Sequence, residues 1–314
     1  MKSGVVVPTL NAEKGWDRFA SALLQAVLPE QVLIIDSSSK DGTVKLAQSC
    51  GFNVHVIPAA DFDHGGTRNI ALQHLPGADL IVYLTQDAVI EKADSIELLL
   101  RAFDDPAIAA AFGRQLPRPD ASPIEAHARL FNYPTVSSIR SLSDRSRFGL
   151  KTIFLSNSFA AYRRSVLASL GGFPSGVHFG EDTLMAARLL LDGWKIAYVA
   201  DATVYHSHSY TPLQDFRRNF DIGVAHAHNP QIIAEFGGAG SEGFRFVKSE
   251  VAYLWRRRPQ LLPSAAMRTA LKLVGYRLGR MEGRLPPILR RRLIMNPSSA
   301  LRPQVTEPAQ HTHQ

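Results

Sequence analysis

Four short apolar runs punctuate the first 85 residues of the chain. Residues 4–7 (GVVV), 31–35 (QVLII), 52–57 (FNVHVI) and 80–84 (LIVYL) are almost unbroken in hydrophobicity, as in strands buried on both faces of a parallel sheet. Between them the period changes. Residues 16–28 place Trp16, Phe19, Leu23 and Val27 on one helical face. Residues 43–49 follow a Ser/Asp/Gly turn, and a Gly-rich loop at 63–69 feeds a helix through residue 74. Strands alternating with helices predict an α/β fold with a doubly wound, mostly parallel sheet. Pro8 reads as the stop of the first strand.

The pattern then becomes less regular. Residues 94–103 read as a helix and 108–112 as a short strand. Residues 113–152 are rich in Pro, Ser and Arg with little periodicity, which predicts a long, partly mobile insertion serving as a lid or acceptor loop. A strand at 157–162, helices at 163–170 and 183–192, and a strand at 195–200 complete a domain over residues 1–212. Residues 213–300 read as a helical basic region and 301–314 as a disordered tail.

Composition narrows the class. Of 314 residues, 45% are hydrophobic and 20% charged, which suits a globular protein with a sizeable core. The single cysteine, Cys50, rules out an intrachain disulfide and a cysteine metal site, and fits a reducing compartment. No run approaches the roughly 18 apolar residues of a transmembrane helix. The N-terminus lacks the apolar core of a signal peptide. A cytoplasmic location is therefore expected.

The net charge of +7 is unevenly spread: residues 245–292 carry thirteen Lys/Arg against Glu250 and Glu282, a surplus of eleven that leaves the remainder at −4. Among these cations Phe244, Val247, Val251 and Leu254 recur at helical spacing. That pattern belongs to a helix resting on an anionic membrane face, or to a solvated basic face or oligomer contact. No nucleic-acid module accompanies the charge, so nucleic acid is not an expected partner.

Candidate chemistry sits at strand ends. The run at 80–84 passes directly into Thr85, Gln86 and Asp87, delivering a carboxylate to the sheet edge where open α/β folds bind ligands. With no phosphate-binding glycine loop beside it, Asp87 suits a divalent cation shared with a diphosphate, or else the cap of a following helix. Asp36 ends the second strand, placed to accept a pyrimidine N–H or a ribose hydroxyl, or to hold the turn after it. Arg68 suits a diphosphate or a base edge near a helix N-terminus, or a solvated surface.

Glu181 and Asp182 open a helix. Its dipole would keep a carboxylate ionised and ready to take a proton from an attacking hydroxyl, with capping as the plainer alternative. His206 and His208 are two residues apart, so on extended backbone they point the same way and one of them suits the second ligand of an ion at Asp87, with a structural histidine as the plainer alternative. A literal GxGxxG at 238–243 follows a helical segment rather than an N-terminal strand and reads as a linker.

In combination, PTLN at 8–11, the turn after Asp36, HGGTRN at 64–69, LTQDA at 84–88, FGED at 179–182 and HSHSYT at 206–211 resemble family 2 glycosyltransferases. Among these the resemblance is to bacterial rhamnosyltransferases that use dTDP-L-rhamnose, and it spans residues 3–222. It implies the GT-A fold, a nucleotide-diphosphate sugar donor, Mg²⁺ or Mn²⁺, and inversion at the anomeric carbon. By motif position Pro8, Thr9, Asn11 and Asp36 line the nucleotide pocket, and Arg68 approaches the base or diphosphate. Gln86, Asp87 and Glu181 belong to the donor site, and Asp182 falls on the catalytic base.

Asp87 occupies the last acidic position of a DxD-type motif whose earlier acids are here Thr85 and Gln86. That departure places more weight on His206 and His208 as metal ligands, with His206 nearer the strand end. The implied partners are dTDP-L-rhamnose and a saccharide or lipid-linked acceptor in surface polysaccharide synthesis, with peripheral contact at the inner membrane face. The same motifs admit a UDP-hexose or UDP-N-acetylhexosamine donor, or a non-catalytic nucleotide-sugar-binding relative.

Overall fold

The computed structural model describes residues 1–177, 180–237 and 240–295. Phe179 of the FGED motif, Gly238 and Ala239 of the GxGxxG match, and the tail at 301–314 lie outside the described residues. In chain order the elements are β1 (Ser3–Thr9), α1 (Trp16–Ala26), β2 (Val32–Asp36), α2 (Thr43–Ser49), β3 (Asn53–Val56), α3 (His64–His74) and β4 (Leu80–Leu84). They continue as β5 (Val89–Ile90), α4 (Ser95–Leu100), β6 (Ile108–Leu116), α5 (Pro123–Asn132), β7 (Ser138–Arg140), α6 (Arg145–Phe148), β8 (Phe159–Arg163) and α7 (Arg164–Ser169). After α8 (Glu181–Leu191) and β9 (Lys195–Tyr205) the chain is helical: α9 (Pro212–His228), α10 (Pro230–Phe236), α11 (Gly240–Arg257), α12 (Leu262–Arg280) and α13 (Pro287–Leu293).

The strands form one sheet in the order β3-β2-β1-β4-β8-β6-β9-β5, with β7 joined to β9. β1 to β4 pair parallel, as does β6 with β9, and β8 runs antiparallel between β4 and β6. Alternation along the strands divides the core. Val5, Val7, Ile34, Val82 and Leu84 join Trp16, Phe19 and Leu23 of α1, whereas Val6, Ile35, Ile81 and Tyr83 join Met185 and Leu189 of α8. Helices cover both faces, which is why these strands read as unbroken apolar runs.

Several boundaries differ from the sequence pattern. β1 continues through Pro8. The Thr9 carbonyl accepts the Ser37 N–H on the β2 side, so the polar groups of Pro8 face β4, whose pairing with β1 ends at Val6. The missing N–H therefore breaks no ladder bond. β6 extends past Phe112 to Leu116 because β9, continuing to Tyr205, pairs with it along its whole length across a register shift between Gly113 and Arg114.

The segment 113–152 is consequently not one irregular insertion; it carries the end of β6, then α5, β7 and α6. α5 starts at a capping box: the Ser122 hydroxyl accepts the Glu125 N–H, the Glu125 carboxylate accepts the Ser122 N–H, and Pro123 opens the first turn. α3 begins at His64, capped by Asp63 accepting the Gly66 N–H at 2.6 Å, so Arg68 lies within a helix rather than in a preceding loop. α8 begins at Glu181 behind Gly180, two residues earlier than the pattern indicates. Residues 240–243 of the GxGxxG match belong to α11 rather than to a linker.

Glycines set the depth of the C-terminal packing. A Cβ at Gly275 or Gly279 of α12 would lie 2.4 or 2.0 Å from the backbone oxygens of Phe216 and Phe220 in α9. Only a bare backbone permits that approach.

Candidate functional site

The ends of β1, β2 and β4 form a cross-braced rim. Asp36, fully buried, accepts hydrogen bonds from the Thr9 hydroxyl at 2.9 Å, the Ser39 N–H at 2.8 Å and the Ser39 hydroxyl at 2.6 Å. Asn11 donates its N–H to the Ser39 hydroxyl, and its side-chain oxygen accepts the Lys40 N–H. Both Asn11 (φ 48) and Ser38 (φ 60) hold left-handed backbone, a conformation that non-glycine residues keep only where their surroundings fix it. Gln86 receives the Leu10 N–H at 2.8 Å and donates to the Leu10 carbonyl at 3.1 Å, tying the β1 loop to the β4 loop. Thr9, Asn11, Asp36 and Gln86 are thus brought together at one edge, Thr9 bonded to Asp36 and the others to Ser39 and to the backbone of Leu10 and Lys40. Pro8 lies in the strand behind them.

Asp87, His206 and His208 converge, with one ligand atom from each lying within 4.8 Å of the others. His206 Nε2 is 3.3 Å and His208 Nδ1 3.6 Å from Asp87 Oδ2. The tautomer of His206 follows from its other nitrogen. Nδ1 lies 2.8 Å from Gln115 Oε1, which also receives Arg129 Nη1 at 2.5 Å. Arginine can only donate, so that Gln115 atom is the oxygen, Nδ1 carries the proton, and Nε2 presents a lone pair toward Asp87. Burial lowers the pKa of both histidines, that of His208 to about 3, so both are neutral. Burial opposes the charge on Asp87, but in acid, where the histidines are protonated, a hydrogen bond and attraction from His206, then attraction from His208, outweigh it and hold the carboxyl below its usual range. An ionised carboxylate with two neutral imidazoles is a donor set that fits a divalent transition ion such as Mn²⁺ better than the oxygen-seeking Mg²⁺.

Glu181 and Asp182 occupy the first turn of α8 and behave oppositely. Glu181 is buried against Arg68, Nη1 to Oε1 at 3.2 Å, and accepts the Asn157 amide at 3.2 Å. Burial works against its charge, but Arg68, His64 and Asn157 outweigh that and keep its pKa low. Asp182 was expected to be held ionised by the helix N-terminus; instead its pKa is pushed up to about 7. Burial is the larger cause and the Glu181 charge the next, and they prevail over N–H donors from Thr183 at 2.7 Å and Asn157 at 3.3 Å. Arg68 also donates to the His64 carbonyl, and its buried Nε has no partner.

Arg68, Asn157, Asp182, His206 and His208 all open on one cavity of about 1040 Å³. Helices α5, α9 and α12 supply its remaining cationic lining through Arg129, Arg218, Arg268 and Lys272. Arg268 bonds Asp215 of α9 at 2.5 Å, and Tyr210 stacks on His208 with ring centroids 4.9 Å apart. Sequence pattern alone singled out none of Gln115, Arg129, Asn157, Tyr210 or Arg268. The Ser122-Pro123-Ile124-Glu125 capping box was the available signal for the helix that carries Arg129. Asn157 had no such signal, because its two carboxylate partners lie 24 and 25 residues away in sequence.

The chain matches glycosyl transferase family 2 over residues 4–171. It is 48% identical over 288 residues to the O-antigen chain rhamnosyltransferase RfbN of Salmonella typhimurium, covering 91% of this chain and 92% of that protein. To the O-antigen chain rhamnosyltransferase WbaN of Salmonella anatum it is 50% identical over 284 residues, covering 90% of each. Among solved structures it is similar to the mannosyltransferase PcManGT of Pyrobaculum calidifontis in complex with GDP-Man and Mn²⁺, with a TM-score of 0.57, 18% identity, and coverage of 96% of this chain and 86% of that one. It is also similar to S. aureus TarS 1-349 in complex with UDP-GlcNAc, with a TM-score of 0.53, 17% identity, and coverage of 90% and 92%. At those identities the likeness is one of fold. The chain belongs to glycosyltransferase family 2 and is built on the GT-A fold that its motifs imply.

Proposed function

We propose that this glycosyltransferase moves L-rhamnose from dTDP-L-rhamnose to a saccharide or lipid-linked saccharide acceptor in surface polysaccharide synthesis, with inversion. Asp182 is the base, and Asp87, His206 and His208 hold a divalent cation. One observation carries this: a carboxylate with its pKa raised to about 7 shares a cavity with a neutral histidine pair turned on an ionised aspartate. The two Salmonella relatives, similar over nine-tenths of their length, support the sugar and the polymer.

The acceptor hydroxyl attacks the anomeric carbon as the bond from that carbon to the diphosphate oxygen breaks. The hydroxyl proton passes to Asp182, whose raised pKa makes it a stronger base than an ordinary carboxylate while it remains substantially ionised near neutral pH. A single displacement needs no covalent intermediate and inverts the centre. When bound, Mg²⁺ or Mn²⁺ neutralises charge on the departing diphosphate. Arg68, held in place by Glu181, adds fixed positive charge where negative charge grows. Asn157 fixes both carboxylates at once, so base and arginine keep a constant separation. The braced rim of Thr9, Asn11, Asp36 and Gln86 holds the nucleotide edge in one shape before the donor arrives. The cytoplasm, with peripheral contact at the inner membrane face, is where a nucleotide-activated donor meets a lipid-linked acceptor.

The test is transfer of labelled L-rhamnose from dTDP-L-rhamnose to membrane-derived acceptor, run beside UDP-glucose and UDP-N-acetylglucosamine. Rhamnose transfer lost in Asp182→Asn is the expected result. Transfer from a UDP-sugar alone discards rhamnose, and transfer from no donor favours a nucleotide-sugar-binding protein.

A further inference from the structure

Helix α12 is built inside out. Its inward face is Ala265, Arg268, Lys272, Gly275 and Gly279, with both glycines pressed on α9 and both cations turned into the cavity. Its outward face is Ala266, Met267, Ala270, Leu273 and Val274, followed by Arg277 and Arg280. Met267, Leu273 and Val274 are 47%, 49% and 48% exposed. A helix on a water-bathed domain carries the opposite arrangement.

The preceding helix, α11, packs against α12 and repeats the pattern. It buries Glu250 and Leu254 while exposing Phe244 (73%), Val251 (47%) and Trp255 (69%) at i, i+7 and i+11. Single exposed apolar residues need no explanation, but two adjoining helices that each turn an apolar row outward do.

Charge identifies the occupant. The rows are flanked by Arg245, Lys248, Arg256, Arg258, Arg277 and Arg280, all exposed. Among the described residues, α12 holds no Asp or Glu, and the α11 acids are engaged: Glu242 pairs with Lys151 and Arg245, and Glu250 is buried. A second copy seated symmetrically on this face would bring arginine against arginine. An anionic lipid surface offers the opposite charge outside and an apolar layer beneath. No helix among the described residues is long and apolar enough to cross a membrane, so such a helix lies on the bilayer and does not span it.

The geometry points to the outward faces of α11 and α12 as a surface that rests on an anionic bilayer, with Phe244, Trp255, Leu273 and Val274 in the headgroup boundary and the arginines on lipid phosphates. The inner faces of the same helices, through Phe246, Arg268 and Lys272, wall the cavity. A lipid-linked acceptor therefore meets the cavity from the membrane in which it is anchored. That last consequence rests on the glycosyl-transfer reading; the docking itself does not.

Flotation of the full chain with phosphatidylethanolamine/phosphatidylglycerol vesicles, compared with phosphatidylcholine vesicles, tests the surface. Wild type floats with the anionic vesicles alone. Leu273→Glu/Val274→Glu lowers the bound fraction about tenfold or more, and Arg277→Gln/Arg280→Gln does so in a salt-dependent way. Both pairs are exposed, so their thermal melts match wild type.

Absence of wild-type flotation, or flotation unchanged by the glutamates, overturns the proposal. So does a wild-type dimer that Leu273→Glu/Val274→Glu turns into a monomer, since that assigns the face to a second copy. Transfer to a water-soluble acceptor saccharide reports separately. The glutamate variant keeps it, and its absence from wild type would sink the glycosyl-transfer reading while leaving the flotation result standing.

Discussion

The rim at the ends of β1, β2 and β4 and the cavity beside it solve different problems. In the rim, carboxylate and amide groups are spent on nearby backbone: Asp36 on Ser39, Gln86 on Leu10, Asn11 on Lys40. In the cavity, polar groups hold the charged and ligand side chains themselves: Asn157 holds Glu181 and Asp182, and Gln115 holds His206. There a buried arginine Nε lacks a partner and a carboxylate titrates near neutrality. A prebuilt shape suits a nucleotide, whose form is constant. Held-back charge suits a reaction whose charge moves.

If that division holds, the largest effect belongs to Asp182. Asp182→Asn should lower kcat/KM about 10²- to 10⁴-fold with little change in nucleotide affinity. Wild-type kcat/KM should fall as pH drops below about 7, the value to which burial and Glu181 raise this carboxyl. A steady-state pH series on both proteins checks this, and equal losses in binding and turnover would erase the distinction between rim and cavity.

Next is Glu181. Glu181→Gln strips the charge from the buried Arg68 pair, and breaking such a pair costs roughly 3–5 kcal/mol, to be read by urea unfolding. It also removes a charge that raises the Asp182 pKa, so the acid limb of the rate profile should move to lower pH.

Gln115→Leu should weaken Mn²⁺ affinity about 10- to 100-fold, followed by electron paramagnetic resonance of free Mn²⁺. The leucine leaves His206 Nδ1 without its acceptor and the ligand nitrogen without a fixed tautomer.

The smallest effect is on stability. The folded-state pKa of Asp182 lies above its unfolded value, so the neutral side chain's contribution is complete below about pH 4 and disappears as pH rises through 7. Asp182→Asn should therefore unfold at a higher temperature than wild type at pH 8, and at the same temperature near pH 4. A melt series in both buffers decides it.

The same contrast governs what could be read from sequence. β1, β2 and β4, with Thr9, Asp36 and Asp87 at their tips, were legible because a strand buried on both faces is an apolar run and its last polar residue marks the sheet edge. The His206/His208 spacing was legible by two-residue alternation, although both lie just past the end of β9. The raised pKa of Asp182 was not. A helix N-terminus predicts an ionised carboxylate, and the burial that turns the neighbouring Glu181 charge against it comes only with the fold. Gln115 was hidden because the reach of β6 depends on β9, which arrives some 80 residues later. The inverted faces of α12 escaped as well: its apolar period is ordinary, and which side meets α9 is decided by Gly275 and Gly279.

Calorimetric titration of dTDP into wild type and Asp87→Ala, each with and without Mn²⁺, bears most directly on the cation held by Asp87, His206 and His208. Tight dTDP binding that requires Mn²⁺, exceeds that of UDP and GDP, and disappears in Asp87→Ala is the predicted result. Equal dTDP binding without Mn²⁺, unchanged by Asp87→Ala, would contradict it.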